Sequence, residues 1–189
     1  MSRLELRPEP LTREAFAPFG DVIDTKGAES YPINEGTADR YHNLAEVDVN
    51  DTGGQALISI FRSRPRDYPF KIRMMERHPI ASQAFIPLDR RPYLVVVAAP
   101  DTAPLAADLK AFLATGSQGI NYHRGVWHHP LLVLEDESDF LVIDRGGDVP
   151  MVLQKYPNTS LDRFPFAIII GTPRINTTGK TLFQIQDTQ

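Results

Sequence analysis

The sequence contains no cysteine among its 189 residues. Disulfide bonds, thiol catalysis, zinc ribbons and cysteine-held iron–sulfur clusters are therefore excluded. An excess of basic charge is also missing, because 20 Lys and Arg residues stand against 24 Asp and Glu residues, for a formal net charge of −4. Domains that bind nucleic acids usually carry a basic excess or a basic stripe, so the composition argues against that function.

A hydrophobic run of the ~20 residues that a membrane span needs is missing as well. The longest uninterrupted apolar run, LVVVAA at 94–99, has the length of a strand. The first ten residues, MSRLELRPEP, lack the apolar stretch of a secretory signal. A cytoplasmic protein is therefore the expectation.

The residues that are present fit a β-rich globular domain. Hydrophobic residues make up 42% of the chain and charged residues 23%, which is ordinary for a folded protein. A chain of this length buries about 70% of its unfolded surface without disulfides. The 16 prolines and 12 glycines favour short strands joined by turns. Strands are predicted at 55–62, 68–76, 83–88, 93–99, 126–135 and 139–144.

Two short helices are predicted among these strands. The first covers 11–19, with Thr12 as its N-terminal cap and Gly20 as its stop. The second covers 104–115 and ends before a glycine, and its apolar face is formed by Leu105, Leu109, Phe112 and Leu113. Closely spaced short strands with one or two short helices predict a mainly β fold, either a small barrel or a double-sheet jelly roll.

The C-terminal part of the chain differs in composition from the rest, because polar stretches surround one strongly apolar run, FAIII at 166–170. We expect one domain over 1–150 and an extension over 151–189 that packs on the barrel or on a second subunit. Strands are predicted at 151–155 and at 166–170, where the run FAIII is too apolar to be left in water. Because exposed strand edges invite pairing, we expect a homodimer, with 166–170 buried against the barrel or the partner.

The strand predicted at 68–76 is the most informative segment. Side chains alternate between the two faces of a strand, so Glu76 falls on the face that we expect to point inward. The predicted interior set is Phe70, Ile72, Met74, Phe85, Val95 and Val97. An inward carboxylate needs a metal, a cation or a proton. If the strand continues, His78 lies two residues further on and faces the same side as Glu76. Alternatively, the strand stops at Met75 and Glu76 is solvated.

A histidine cluster lies in the segment GINYHRGVWHHP at 119–130, which holds three of the five histidines and the only tryptophan. Neutral imidazole is the commonest metal ligand and titrates near neutral pH. His128 and His129 are neighbours in a predicted strand, so they should face opposite sides. A bulge at Gly125 can bring His123 to the side of His128. Each histidine taken singly can equally be structural.

Two of these segments resemble the two motifs of the cupins. The first motif normally reads His-x-His, three or four residues, then Glu; here Glu76 stands for the first His, His78 for the second and Gln83 for the Glu. Gly125-Val126-Trp127-His128 is similar to the Gly-x-x-His core of the second motif.

One cupin-like family is a closer match. The segments EAFAPFGDVID, INEGTADRYHNLA, ERHPIASQAFIPL, GINYHRGVWHHPL and DFLVIDRGG resemble, in order, those of the ureidoglycolate lyases, over about residues 10–150. The resemblance implies a cupin-like barrel, a homodimer, and conversion of (S)-ureidoglycolate to glyoxylate and urea in allantoin and purine catabolism. It also implies a divalent metal, nickel in particular, and no organic cofactor. Its candidate ligands by motif position are Glu76, His78, Gln83 and His128.

The reaction that the resemblance implies can be compared with the residues. Ureidoglycolate is a hemiaminal acid, so its hydroxyl must lose a proton and the departing urea must gain one. His123 is the first candidate for this proton transfer, and Glu76 and Tyr122 are further catalytic candidates. The substrate carboxylate needs a cation, which arginine supplies as a two-pronged donor. The candidate substrate-binding residues are Arg62, Arg124, Arg40 and Trp127, with Arg62 expected to point into the barrel.

Two other functions stay open from the sequence. One is a non-catalytic cupin-like sensor of a small acid, since a fold does not determine a function. The other is a different metal-dependent enzyme on the same barrel, an isomerase or a dioxygenase. Products separate the lyase from an amide hydrolase, because hydrolysis of the ureido group releases ammonia and carbon dioxide instead of urea.

Overall fold

The computed structural model of the protein describes residues 3–100, 104–147, 152–155, 167–170, 172–175 and 181–184, with side chains described for 5–100, 104–105 and 107–147. Secondary structure in these residues is mainly β, as the sequence predicts. The described residues include one α-helix, α1 (Arg13–Phe16), which has four residues. No helix in this part of the chain is long and apolar enough to cross a membrane.

The strands are short and follow one another closely. The first ten described strands are β1 (Arg3–Leu6), β2 (Glu9–Pro10), β3 (Gly20–Ile23), β4 (Ser30–Ile33), β5 (Ala38–Tyr41), β6 (Gln55–Ser63), β7 (Phe70–Lys71), β8 (Met74–Arg77), β9 (Gln83–Pro87) and β10 (Tyr93–Ala98). They are followed by β11 (Lys110–Ala114), β12 (Gly119–Tyr122), β13 (Trp127–His128), β14 (Leu132–Val133), β15 (Ser138–Gly146), β16 (Val152–Lys155), β17 (Ala167–Ile170), β18 (Thr172–Ile175) and β19 (Thr181–Gln184). Single 3₁₀ turns lie at Asn34–Gly36, Asp51–Gly53 and Ala106–Asp108.

Two sheets pack face to face and form the body of the fold. The first has the order β16-β8-β13-β10-β11-β2, with β14 also paired to β10, and the second has the order β3-β12-β9-β15-β6. Val95 and Phe112 from the first sheet meet Phe85, Ile120 and Phe140 from the second in one buried cluster, the inner core. This arrangement is the predicted cupin-like double-sheet fold.

The first sheet is buried on both of its faces. Along β10, Tyr93, Val95 and Val97 belong to the inner core, whereas Leu94, Val96 and Ala98 belong to a second cluster, the outer core, with Met75 and Trp127. Every residue of β10 is buried for this reason. A strand that is covered on both sides needs apolar residues in succession, which explains the continuous run at 94–99.

One predicted helix is present in shorter form, because α1 ends at Phe16 and Gly20 begins β3 instead of stopping the helix. The other helix prediction is wrong. Thr12 caps α1 by accepting a hydrogen bond from the backbone N–H of Ala15, as predicted. The segment 104–115 instead forms a 3₁₀ turn and then β11, which pairs with β10 and β2. Phe112 and Ala111 face opposite cores, so burial of both strand faces produces apolar spacing that imitates a helix.

The strand predicted at 68–76 is interrupted, and its parity changes at the break. Residues 72 and 73 lie between β7 and β8. Ile72 is therefore in the outer core, where Met75 is also fully buried and Phe70 packs alongside. The prediction that Phe70 and Ile72 line the interior is wrong. Val95, Val97 and Phe85 do lie in the inner core, as predicted.

Described strands after residue 150 pair with strands from earlier in the chain. β16 lies antiparallel to β8 at the edge of the first sheet, and β17 lies between β1 and β7 in a small separate sheet. The predicted strands at 151–155 and 166–170 are thus present in slightly shorter form. The predicted burial of the FAIII side chains lies outside the described side chains.

Candidate active site

The site forms where two strands of the first sheet lie side by side. Glu76 of β8 is the register partner of His128 of β13 in an antiparallel pair. Directly opposite residues have their side chains on the same face, and Glu76 Oε1 lies 3.4 Å from His128 Nε2. The neighbouring Trp127 enters the outer core, so alternation turns His128 toward the space between the sheets.

His78 joins this pair just beyond the end of β8. Its ring centroid lies 5.3 Å from that of His128, with the two planes tilted by 30°. One potential ligand atom from each of Glu76, His78 and His128 can be chosen so that all three lie within 4.8 Å of one another. We call these three residues the triad. Its spacing allows all three to bind one metal ion.

Unpaired buried atoms support this reading of the triad. His78 Nε2, His128 Nε2 and Gln83 Oε1 are buried and have no hydrogen-bond partner, although burial of a polar atom without a partner is costly. His128 Nδ1 lies 3.0 Å from the carbonyl oxygen of Val126, which leaves Nε2 as the atom free to bind a metal. Two imidazoles with carboxylate and amide oxygens suit a borderline divalent ion such as nickel or zinc.

The protonation states of Glu76 and His78 are also those that metal binding requires. Burial alone would raise the pKa of Glu76, but the adjacent His128 and the charge of His78 together lower it. Burial and the neighbouring His128 lower the pKa of His78. Near neutral pH the site therefore holds a carboxylate and an uncharged imidazole, the forms that metal ligands need.

Tyr122 supports the imidazole of His128 from the inner core. The two rings stack with centroids 4.1 Å apart and an angle of 11° between their planes. Burial raises the pKa of Tyr122 well above its ordinary value, so the phenol stays protonated. Tyr122 lies in contact with the predicted ligand His128, as a ring that fixes the orientation of its imidazole.

A cavity of about 520 Å³ opens beside the triad. Its walls are formed by the triad residues Glu76 and His78, by the loop 79–82, and by strands β6, β9 and β15 of the second sheet. Gln83 of β9 is 5% exposed and also lines the cavity. A cavity of this size accommodates a small organic acid.

His123 is not brought to this cavity, contrary to expectation. The backbone turns at Gly125, where φ is +76°. His123 follows the end of β12 and lies on the side of Asn121, whereas Tyr122 points into the inner core. Both outer residues contact Asp21: Asn121 Nδ2 lies 2.9 Å from its Oδ2 and His123 Nε2 lies 3.3 Å from its Oδ1. The His123 side chain is half exposed.

His129 faces away from the triad, as predicted, but it is buried. Its ring meets the edge of Phe70 at a centroid distance of 5.4 Å, and Phe70 packs against the outer core. Burial lowers the pKa of His129 to about 4.

The predicted substrate-binding residues also lie away from the cavity. The expectation that Arg62 points inward is wrong, because its guanidinium is exposed and bonds both oxygens of Asp139 at 2.8 Å. Arg124 is bound by Asp48 and Asp51. Arg40 lies on the exposed strand β5, and Trp127 packs in the outer core.

For Asp144 the sequence favours a turn with a local ion pair and leaves a pocket role open, because Asp144 shares the strand face of Phe140 and Val142. In the structure Asp144 lines the cavity. It follows Phe140 and Val142, both fully buried in the inner core, at alternate positions of β15. That alternation is visible in the sequence and was the available signal. A strand that ends in a polar residue of inward parity is a place to look for site residues.

Comparisons with known proteins agree on one family. A family model described as ureidoglycolate lyase matches residues 3–160. A ureidoglycolate lyase of Burkholderia mallei is 59% identical over 140 residues, which cover 74% of this chain and 82% of the relative. Ureidoglycolate lyases of Brucella anthropi and Pseudomonas aeruginosa are 60% and 55% identical, over 74% and 75% of this chain and 82% and 84% of theirs.

Proposed function

The chain belongs to the ureidoglycolate lyase family, and we propose that it cleaves (S)-ureidoglycolate to glyoxylate and urea in the cavity beside the triad. The observation that carries the location is the convergence of Glu76, His78 and His128, of which Glu76 and His78 line the cavity. The sensor and the other metal-dependent enzymes considered from the sequence are not favoured by these relatives.

Glu76, His78 and His128 would hold a divalent metal, with Gln83 as a fourth, weaker donor. When bound, the metal supplies a positive charge that attracts the substrate carboxylate and acidifies the hydroxyl. We assign nickel on the resemblance to the family; the donor set suits it. The metal would take the place of an arginine for the carboxylate, in keeping with the engagement of Arg62 and Arg124 by acidic side chains. Arg145 at the cavity wall is likewise engaged, by Val49 and Thr52.

The chain's own residues account for the proton transfer. The carboxylate of Glu76 has two oxygens, so one would serve the metal while the other accepts the proton of the substrate hydroxyl. The hydroxyl oxygen becomes the carbonyl oxygen of glyoxylate as the carbon–nitrogen bond breaks. The electron pair of that bond goes to nitrogen, and Glu76 returns the proton there to complete urea. One carboxylate can do both because the hydroxyl oxygen and the departing nitrogen are bonded to the same carbon. Tyr122 holds the imidazole of His128 in place.

The proposed function also includes an oligomeric state, a domain division and a cellular role. We infer a homodimer, supported by β6, which ends the second sheet and carries Ile58 and Ile60 at 74% and 54% exposure. Residues 1–150 would form the catalytic domain and 151–189 an extension, supported by the pairing of β16 and β17 with the main body. A role in allantoin catabolism and a cytoplasmic location complete the proposal.

Product analysis tests the proposed reaction. The nickel-loaded protein is incubated with (S)-ureidoglycolate, and glyoxylate, urea and ammonia are quantified. Equal amounts of glyoxylate and urea without ammonia are expected. Release of ammonia and carbon dioxide in place of urea would show amide hydrolysis and overturn the assignment.

A further inference from the structure

Asp144 is a carboxylate without a partner at the wall of the cavity. It has no hydrogen bond or ion pair with any residue that the structure describes. Other acidic side chains nearby are engaged: Glu76 lies against His128, and Asp139 on the same strand binds Arg62. A half-buried carboxylate that lacks a partner calls for N–H donors or a cation from a ligand.

The adjacent arginine does not neutralise Asp144. Arg145 Nη1 donates to the carbonyl oxygen of Val49 at 2.6 Å, and Nη2 donates to Thr52 Oγ1 at 3.1 Å. The guanidinium lies over Gly54, where a Cβ atom would overlap it. Arg145 also borders the cavity, but its two Nη atoms are directed at the segment 49–54. Its charge is therefore engaged there, and it makes no ion pair with Asp144.

The charge of Asp144 also restricts how an acid can lie in the cavity. Two carboxylates, Glu76 and Asp144, border this space together with Arg145, whose Nη atoms are bonded to Val49 and Thr52. The electrostatic influence of Asp144 extends to His78. Asp144 would repel a substrate carboxylate, which would therefore lie toward the triad, where Glu76, His78 and His128 would hold the metal. The opposite end of ureidoglycolate carries neutral N–H groups, and two of them on one ureido group match the two oxygens of a carboxylate.

We propose that Asp144 binds the ureido end of the substrate by accepting hydrogen bonds from its N–H groups, and so selects ureido acids over simple hydroxy acids. This inference rests on the proposed function. Asp144 belongs to the second sheet, whereas Glu76 and His128 belong to the first. The ureido end and the carboxylate end of the substrate would therefore be held by opposite walls of the cavity.

Two stable probes separate the ends of the substrate. Ureidoacetate has the ureido and carboxylate groups but no hydroxyl and cannot be cleaved as a hemiaminal; glycolate has the hydroxyl and carboxylate but no ureido group. Dissociation constants for both are measured by calorimetry on the nickel-loaded wild-type, Asp144→Asn and Asp139→Asn proteins. Asp139→Asn is the matched control because Asp139 lies on the same strand and binds Arg62 on the outside.

Asp144→Asn is expected to weaken ureidoacetate binding by roughly 10- to 100-fold, the scale of lost charged hydrogen bonds, and to leave glycolate binding unchanged or tighter because an anion is removed. Asp139→Asn should change neither. If Asp144→Asn does not fold, Asp144→Ser is used, with the same expectation. Equal weakening of both probes, or no loss for ureidoacetate, would overturn the inference. Binding of these probes does not depend on cleavage. A wild-type protein that releases no urea from ureidoglycolate would therefore contradict the proposed function and leave the binding test of Asp144 unaffected.

Discussion

Glu76 Oε1 lies 3.4 Å from His128 Nε2, in a pair whose side chains are 15% and 2% exposed. The fold contains a second carboxylate–imidazole pair of almost the same length, Asp21 and His123 at 3.3 Å, whose side chains are 31% and 50% exposed. Distance alone therefore does not identify the chemical site. What distinguishes the first pair is its burial beside a third ligand, His78, at the wall of a cavity.

The triad predicts how nickel affinity responds to substitution. His78→Gln removes one of three ligands, so the affinity should fall by at least the roughly 10- to 100-fold that is typical even for groups supporting a ligand. His123→Gln is the matched control, because its imidazole contacts Asp21 outside the cavity. Calorimetric titration measures both variants. Equal affinities in the two variants would rule out the triad as the metal site.

Tyr122 is predicted to act through its ring and not through its hydroxyl. Tyr122→Phe keeps the stacked ring against His128 and should retain most of the activity and nickel affinity. Tyr122→Leu removes the stacking and should lower both. The comparison is made at saturating ureidoglycolate with and without excess nickel. A Tyr122→Phe enzyme as impaired as Tyr122→Leu would instead make the phenol a proton donor.

Phe16 is predicted to be a major source of stability for this side of the fold. It is fully buried and its ring meets that of Phe112 edge to face at 5.6 Å, with Tyr122 at 6.2 Å. Phe16→Ala should lower the free energy of unfolding by about 3–5 kcal/mol. Tyr31→Ala, at a site that is 44% exposed, is the control and should change it little. Urea unfolding measures both, and equal losses would contradict the packing described.

The homodimer prediction can be tested at β6. Ile58→Lys places a charge at the most exposed apolar residue of this edge strand and should convert the dimer to a monomer. Leu105→Lys changes an apolar residue of 60% exposure outside β6 and should leave the dimer intact. Light scattering at micromolar concentration gives the masses. A wild-type monomer would reject the dimer, and a dimeric Ile58→Lys variant would place its interface elsewhere.

The sequence predicts strands correctly where only one face of a sheet is apolar. Where both faces are buried, the apolar spacing leads to the wrong type of secondary structure. At 104–115 the two cores take side chains from both faces of β11, and the resulting spacing resembles that of a helix. A short break at 72–73 reverses which face each side chain takes. Ile72 therefore lies in the outer core and Phe70 packs against it, although Glu76 joins His78 and His128 between the sheets. Alternation cannot reveal such a break.

Motif spacing was more informative than parity for the site. Glu76, His78, Gln83 and His128 correspond to the positions of the cupin motifs. The structure brings Glu76, His78 and His128 together, and Gln83 lines the same cavity as Glu76 and His78. The arginines and His123 were selected for their chemistry alone, and tertiary contacts engage them elsewhere: Asp139 binds Arg62, and Asp48 binds Arg124. Such partners are distant in sequence, by 77 and 76 residues, so local patterns do not predict them.

The central claim is that ureidoglycolate is cleaved at the buried pair of Glu76 and His128 and not at the exposed pair of Asp21 and His123. The most direct measurement compares kcat for urea release by Glu76→Gln and Asp21→Asn at saturating substrate and nickel, since each variant changes one carboxylate to an amide. Loss of the buried carboxylate should lower kcat by roughly 10²-fold or more, whereas Asp21→Asn should stay close to wild type. A fully active Glu76→Gln enzyme, or an inactive Asp21→Asn enzyme of normal stability, would contradict the account.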